Sequence, residues 1–296
     1  KTGKIIKKSN PDLTIVHGDT TTALAASLAS FYSRTSIAHV EAGLRTNNLY
    51  SPWPEEANRR IISSLSKYNF APTENAKQNL LKENITSSSI YVTGNTVIDA
   101  LKMASQMIFN SSKALKKYND KYGFINNYNR LILVTGHRRE NFGIGFENIC
   151  TAIDKLAEDE ENCIVYPVHL NPEVRKVVFE KLKNQKNIYL IDPVDYLDFI
   201  YLLNKSFLVL TDSGGIQEEA PSIGKPVLLM RNTTERPEAI EAGTVRLVGT
   251  ESISIVNETR KLIENEKDYR KMIKNISPYG NGDSSKKIHN ILKLNL

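Results

Sequence analysis

What most constrains the fold is an alternation that recurs along the chain. Short apolar runs each stop at a polar or glycine-containing turn, and a segment with helical periodicity follows. The stretch LILVTGHRRE at 131–140 shows the pattern in full. Its apolar run ends at Thr135-Gly136, and His137, Arg138, Arg139 and Glu140 come before the next periodic segment. This reads as a buried strand that delivers polar groups into a turn opening a helix. In an open α/β sheet such turns lie at the carboxyl ends of strands, where ligands bind and helix N-termini attract anions. The turn is therefore expected to face an anionic ligand.

The same reading predicts strands at 13–16, 37–40, 68–71, 90–93, 131–134, 164–167, 188–191, 207–210, 226–230 and 245–248. Helices are predicted at 20–32, 97–109, 146–156, 172–182, 196–203 and 215–222, and from 252 to the end. A further helix opens with Pro54 at N1 and Glu55 and Glu56 in its first turn, and Thr73 caps one that runs to about 82. Strands alternating with helices imply parallel sheets covered on both faces. The fold class is thus α/β, with two Rossmann-like doubly wound domains facing each other across a cleft. The polar, weakly periodic stretch from Asn110 to Asn129 sets the boundary. The expected division is 1–112, a linker at 113–129, 130–278, and a helix at 279–296 returning to the first domain.

Length and composition fit this picture. A chain of 296 residues, 40% of them hydrophobic, has enough apolar material for two domains. No apolar run approaches the roughly 18–20 residues that span a bilayer, and the N-terminus lacks the apolar core of a secretory signal. No membrane association is expected, and cytoplasm is the expected compartment. Cys150 and Cys163 form neither a metal pattern nor a disulfide framework and read as buried thiols. The net charge of +6 comes from Lys and Arg scattered among acids, which argues against nucleic acid as a partner. The chain opens in what reads as a helix tail, Gly3 to Ser9, and the next element is a core strand. It is expected to begin inside a domain.

Three constellations carry chemistry. In Val16-His17-Gly18-Asp19-Thr20-Thr21-Thr22, Asp19 alone would read as a helix N-cap worth about 1 kcal/mol. Glu41, ending a strand, and Glu55, opening a helix, have equally plain readings as solvated acids. All three, however, fall at element termini, where parallel-sheet sites are built and carboxylates exchange protons. In the second constellation His137, with Arg138 and Arg139 ahead of Gly143 and Gly145, reads as a diphosphate clamp, and His169 is a weaker candidate for the same cleft. The third is Thr211-Asp212-Ser213-Gly214-Gly215-Ile216-Gln217-Glu218-Glu219. Its glycines suit a phosphate cradle of backbone amides with positive φ, and Glu219 is spaced to accept both ribose hydroxyls. No Walker loop or GxGxxG is present, so the motifs of ATP hydrolysis and hydride transfer are missing.

HGDTTT, HVEAGLRT, SPWPEEANRR, FAPTENAKQNL, VTGNTVIDAL, VTGHRREN, LTDSGGIQEEAPSIGKPVL and TTERPEAIEAGTVRLVG occur in order over nearly the whole chain. Together they resemble the non-hydrolysing UDP-N-acetylglucosamine 2-epimerases of bacteria and archaea. The resemblance implies a GT-B arrangement of two Rossmann-like domains, a homodimer, and interconversion of UDP-GlcNAc and UDP-ManNAc without NAD or metal. It implies loss of the C2 proton as UDP leaves C1, an enzyme-bound 2-acetamidoglucal, and re-addition of UDP with the proton on the other face. By motif, Asp19, Glu41 and Glu55 become the acid/base set and His137 steadies the diphosphate. Ser213, Gly214 and Gly215 would hold phosphate, Glu219 ribose and Phe199 uracil, with Arg236 completing the UDP site.

Two departures from the family pattern stand out. Relatives usually begin with a strand ending in a GTRPE-like loop, so a first domain without its N-terminal strands, and with impaired catalysis, is expected. Val194 stands where relatives often carry Gln near uracil. The competing readings are a hydrolysing 2-epimerase that releases ManNAc and UDP, a retaining GT-B glycosyltransferase, and a catalytically impaired UDP-sugar-binding protein.

Overall fold

Strands that are apolar on both faces fold only where both faces are covered, and the central strands here meet that condition. In the computed structural model, which describes residues 1–273 and 278–295 and only the backbone at Arg139, ten strands form two all-parallel sheets. The first sheet, in the order β1-β2-β3-β4, comprises β1 (Leu13–His17), β2 (Ser36–Val40), β3 (Tyr68–Ala71) and β4 (Ile90–Val92). The second contains β5 (Arg130–Thr135), β6 (Asn162–Pro167), β7 (Ile188–Ile191), β8 (Leu208–Thr211), β9 (Val227–Leu229) and β10 (Val245–Leu247). All ten strands expected from the apolar runs are present, because a strand buried on both faces announces itself as an unbroken apolar run.

The chain divides into two units, Lys1–Asp99 with the described part of Pro278–Leu296, and Ala100–Ser277. In the first unit the C-terminal helix Ser284–Asn295 packs Ile288 and Leu292 against Ala38, Val40, Tyr68 and Phe70 of β2 and β3. Its first turn is fixed by Asp99, whose carboxylate accepts from the amides of Ser284 and Ser285 at 3.1 and 2.9 Å.

The second unit has the sheet order β10-β9-β8-β5-β6-β7. From β5 the chain winds outward through β6 and β7, then returns to place β8 on the other flank of β5. The direction of winding reverses between these two strands, and their ends are level, Thr135 pairing with Thr211. The crevice at the carboxyl ends of such a pair is the usual ligand position in a doubly wound sheet. Ile132, Val134, Leu208 and Leu210, all buried, anchor the pair in the main core.

The segment expected as a linker folds differently. Residues Ser112–Lys121 form a helix capped by Ser111, and Gly123–Asn127 form a 3-10 turn, both within the second unit. Tyr118 and Tyr122 stack on Tyr201 with centroids 5.4 and 5.6 Å apart, and the Tyr122 hydroxyl donates to Asp198 at 2.6 Å. An aromatic stripe two tyrosines wide secures this helix, which is why polar composition concealed it. The compact units accordingly part at Asp99 rather than near 112. Residues 274–277, part of the stretch expected to end the second domain, lie outside the described residues.

Candidate active site

In the first unit the turns after β1 and β2 are adjacent, joined by the Gly18 amide donating to the Val40 carbonyl at 3.0 Å. The helix after β1 is capped by Thr20, whose hydroxyl accepts from the Ala23 amide at 3.1 Å, and not by Asp19. Freed from that task, the Asp19 carboxylate takes the Arg59 guanidinium at 2.5 Å. Glu41 adopts φ +67°, a left-handed conformation that costs a residue with a Cβ roughly 1–2 kcal/mol. Its carboxylate accepts from the Asn95 side-chain Nδ2 at 3.2 Å and lies 3.7 Å from His17 Nε2. Gly18 is doubly required there, with φ +67° and Glu41 Oε2 only 3.0 Å from where a Cβ would stand.

Glu55 and Glu56 open the helix Glu55–Leu65, with Pro54 at its N-cap rather than at N1. The two acids have different fates. Glu56 is fully buried, accepts from the amides of Thr46 and Asn47 at 3.0 and 3.3 Å, and meets Arg60 Nε at 3.2 Å. It pins the preceding loop to the helix and leaves Glu55, half-buried, as the acid of this pair nearer solvent. Beneath both turns, buried His39 donates from Nε2 to the Gly18 carbonyl at 2.8 Å. Burial pushes its pKa down to about 4, the Gly18 bond opposes the shift, and Arg45, His17 and Arg59 add to it. It is a neutral strut.

In the second unit the candidates gather at the switch point. The fully buried carboxylate of Asp212, just past β8, accepts from the backbone amides of His137 at 3.0 Å and Arg138 at 2.9 Å and from the Asn141 side chain at 3.2 Å. The expected anion-binding turn after β5 is therefore already filled from inside. Its His137 and Arg138 amides are taken up by that carboxylate, and the Arg139 side chain lies outside the described residues. His137 stacks on His169, ring centroids 5.0 Å apart at 12°, and its Nδ1 is 3.9 Å from Asp212. Burial lowers the His137 pKa, the Asp212 charge acts the other way, and His169 and Arg138 lower it further. Both rings open on a cleft of about 370 Å³, lined also by Pro193, Val194, Tyr196 and Phe199.

The glycine turn after β8 is built by close approach, not by positive φ. Gly215 has φ −61°, and a Cβ on Gly214 would stand 2.6 Å from Arg236 Nη1 and 2.8 Å from Glu235 Oε1. Among the described residues no partner is found for the Gly214 or Gly215 amide. Arg236, expected in the UDP site, is buried under the turn, where it donates to Glu218 and Glu235 at 2.5 Å each. Ser213 donates its amide to Thr211 Oγ1 at 2.9 Å. Glu219 is nearly buried and accepts from the Tyr196 hydroxyl at 2.6 Å. Burial raises its pKa and that bond acts in the opposite direction. No group of His, Cys, Asp and Glu among the described residues could hold a metal ion, and none of their helices is long and apolar enough to cross a membrane.

A family model described as UDP-N-acetylglucosamine 2-epimerase matches residues 1–293. The UDP-N-acetylglucosamine 2-epimerase of Escherichia coli K12 is 54% identical over 292 residues, 98% of this chain and 78% of that protein. The chain belongs to the UDP-N-acetylglucosamine 2-epimerase family. Among solved structures, the UDP-GlcNAc 2-epimerase of Neisseria meningitidis bound to UDP-GlcNAc is 51% identical, with a TM-score of 0.96 over 98% of this chain and 78% of that one. The Methanocaldococcus jannaschii enzyme in complex with UDP-GlcNAc and UDP is 36% identical, with a TM-score of 0.84 over 99% and 78%.

Within this member of the family, Asp19 and Glu41 share one pair of turns, and His137, Ser213, Gly214 and Gly215 share the switch point. Phe199 lies in the same cleft, and Glu219 lies one residue contact behind it. Reading by motif missed Asp212, Tyr196, Arg59 and Glu56. For Asp212 and Arg59 the signal was their place inside quoted motifs, but nothing local in the sequence states which acid of a motif is buried.

Proposed function

We propose that this chain interconverts UDP-GlcNAc and UDP-ManNAc by eliminating UDP and adding it back, without releasing the sugar. The observation that carries this reading is the open glycine turn at the switch point, beside the stacked His137 and His169. The Gly214 and Gly215 amides, without a partner among the described residues, are available to an anion, and donors aimed at a diphosphate lower the barrier to its departure. His137 steadies the departing diphosphate, Glu219 accepts the ribose hydroxyls and Phe199 flanks uracil.

Asp19, Glu41 and Glu55 supply the acid and base. One removes the C2 proton as the C1–oxygen bond to UDP breaks, giving the 2-acetamidoglucal. UDP then re-forms that bond while a proton reaches the opposite face of C2. Arg59 against Asp19 and Asn95 against Glu41 fix the two carboxylates in place, which supports roles that depend on geometry. Arg236 acts from below, as the brace of Gly214 rather than as a ligand. The resemblance also carries a homodimer into the reading, checked by sedimentation of the purified chain.

Asp19→Asn tests the mechanism. It is expected to abolish exchange of the C2 hydrogen with solvent while UDP affinity stays within about twofold; exchange at the wild-type rate defeats the assignment. A hydrolysing reaction is distinguished by free ManNAc accumulating in step with UDP.

A further inference from the structure

Tyr196 belongs to no motif and opens the helix Tyr196–Lys205, which Asp195 caps by accepting from the Asp198 amide at 2.9 Å. Its ring lines the cleft with Val194 and Phe199, and its hydroxyl donates to Glu219 Oε1 at 2.6 Å. Glu219 does not line that cleft. Its other oxygen borders the open space above Gly215, where a Cβ would meet nothing but Oε2, at 3.9 Å. A phosphate on the Gly214 and Gly215 amides would therefore carry its pentose toward Oε2, while Oε1 is held from behind by the tyrosine.

We propose that Tyr196 is a positioning residue for ribose recognition: its hydroxyl locks the Glu219 carboxylate so that its remaining lone pairs meet the 2′- and 3′-hydroxyls of a ribonucleoside diphosphate. The proposal rests on the reading of Glu219 as the ribose acceptor. A carboxylate has about four lone-pair directions. One is spent on Tyr196, which leaves enough for a vicinal diol. Fixing the carboxylate in advance removes a rotameric freedom that the ligand would otherwise have to freeze. Burial makes the ionised form harder to keep, and the phenolic donor counters that. A ligand lacking both hydroxyls gains nothing from the arrangement.

The test compares UDP with 2′,3′-dideoxy-UDP by calorimetry on the wild type, Tyr196→Phe, Glu219→Gln and the double variant, with kcat and KM measured alongside. Tyr196→Phe keeps the ring and is expected to weaken UDP about three- to tenfold, the loss of one charge-assisted hydrogen bond after partial compensation by water. It should leave dideoxy-UDP unchanged, raise KM without lowering kcat, and have no further effect in the Glu219→Gln background. Equal weakening of both ligands, or no weakening of UDP, overturns the proposal. Wild-type protein that binds the two ligands equally well instead defeats the ribose reading of Glu219 itself, a different result that the kinetics of C2 exchange do not share.

Discussion

The two units use the same strand-turn-helix grammar and invert its chemistry. In the first, carboxylates at the strand ends are the groups presented, and arginine and asparagine hold them: Arg59 on Asp19, Asn95 on Glu41. In the second, carboxylates are the supports. Asp212 fills the turn after β5, and Glu218 and Glu235 fix Arg236 beneath Gly214, so that backbone amides and an imidazole are presented. Asp19 and Asp212 follow their strands in similar fashion, yet one side chain is 20% exposed and the other 0%. The same residue type is presented toward solvent in one place and is scaffolding in the other, and burial separates the two.

The inversion makes its largest prediction at Asp212. Asp212→Ala would leave the His137 and Arg138 amides without their acceptor, and is expected to destabilise the protein by about 3 kcal/mol or more, measured by denaturant unfolding. Asp19→Asn, by contrast, is expected to cost under about 1 kcal/mol while removing C2 exchange. Similar stability losses in the two variants would erase the distinction.

The next effect separates the units by pH. Because the folded-state pKa of His39 is about 4, below the ordinary 6.5, the unfolded chain binds more protons between those values. Stability contributed by this buried neutral ring is therefore present above pH 6.5 and is lost as pH falls through 4, on the order of 3 kcal/mol. His39→Gln should flatten that slope in a thermal-denaturation series from pH 7 to 4; an unchanged slope would remove His39 from the account. The partly exposed His137 should contribute far less.

A smaller change probes the glycine turn. Gly214→Ala places a methyl group against Arg236 and Glu235, and UDP affinity is expected to fall about tenfold by calorimetry, equivalent to about 1.4 kcal/mol, as the brace shifts. Gly215→Ala, with only Glu219 Oε2 at 3.9 Å, should be milder. Smallest is Thr20→Ala, which removes the cap beside Asp19 and should cost about 1 kcal/mol in stability while sparing C2 exchange.

Much of the fold was legible in the sequence because parallel strands advertise double-sided burial, and Leu131 to Val134 could be little else. The helix at Ser112–Lys121 was not, since its hold on the unit is two tyrosines in a polar stretch. Thr20 and Asp19 are both good capping residues in adjacent positions, and only the backbone shows which one caps. Arg236 was placed in the UDP site by its position in TTERPE, as the family resemblance implies. Its bonds to Glu218, 18 residues away in sequence, and to Glu235 beside it lie beyond what the motif conveys. Local pattern thus locates strand ends well, but it does not tell a presented group from a buried one.

The most direct test of the whole account is proton NMR of UDP-GlcNAc incubated with the protein in D2O. The account predicts UDP-ManNAc appearing with deuterium at C2 of both sugars and no free ManNAc. Epimerisation with the C2 proton retained, or release of free ManNAc together with UDP, would contradict it.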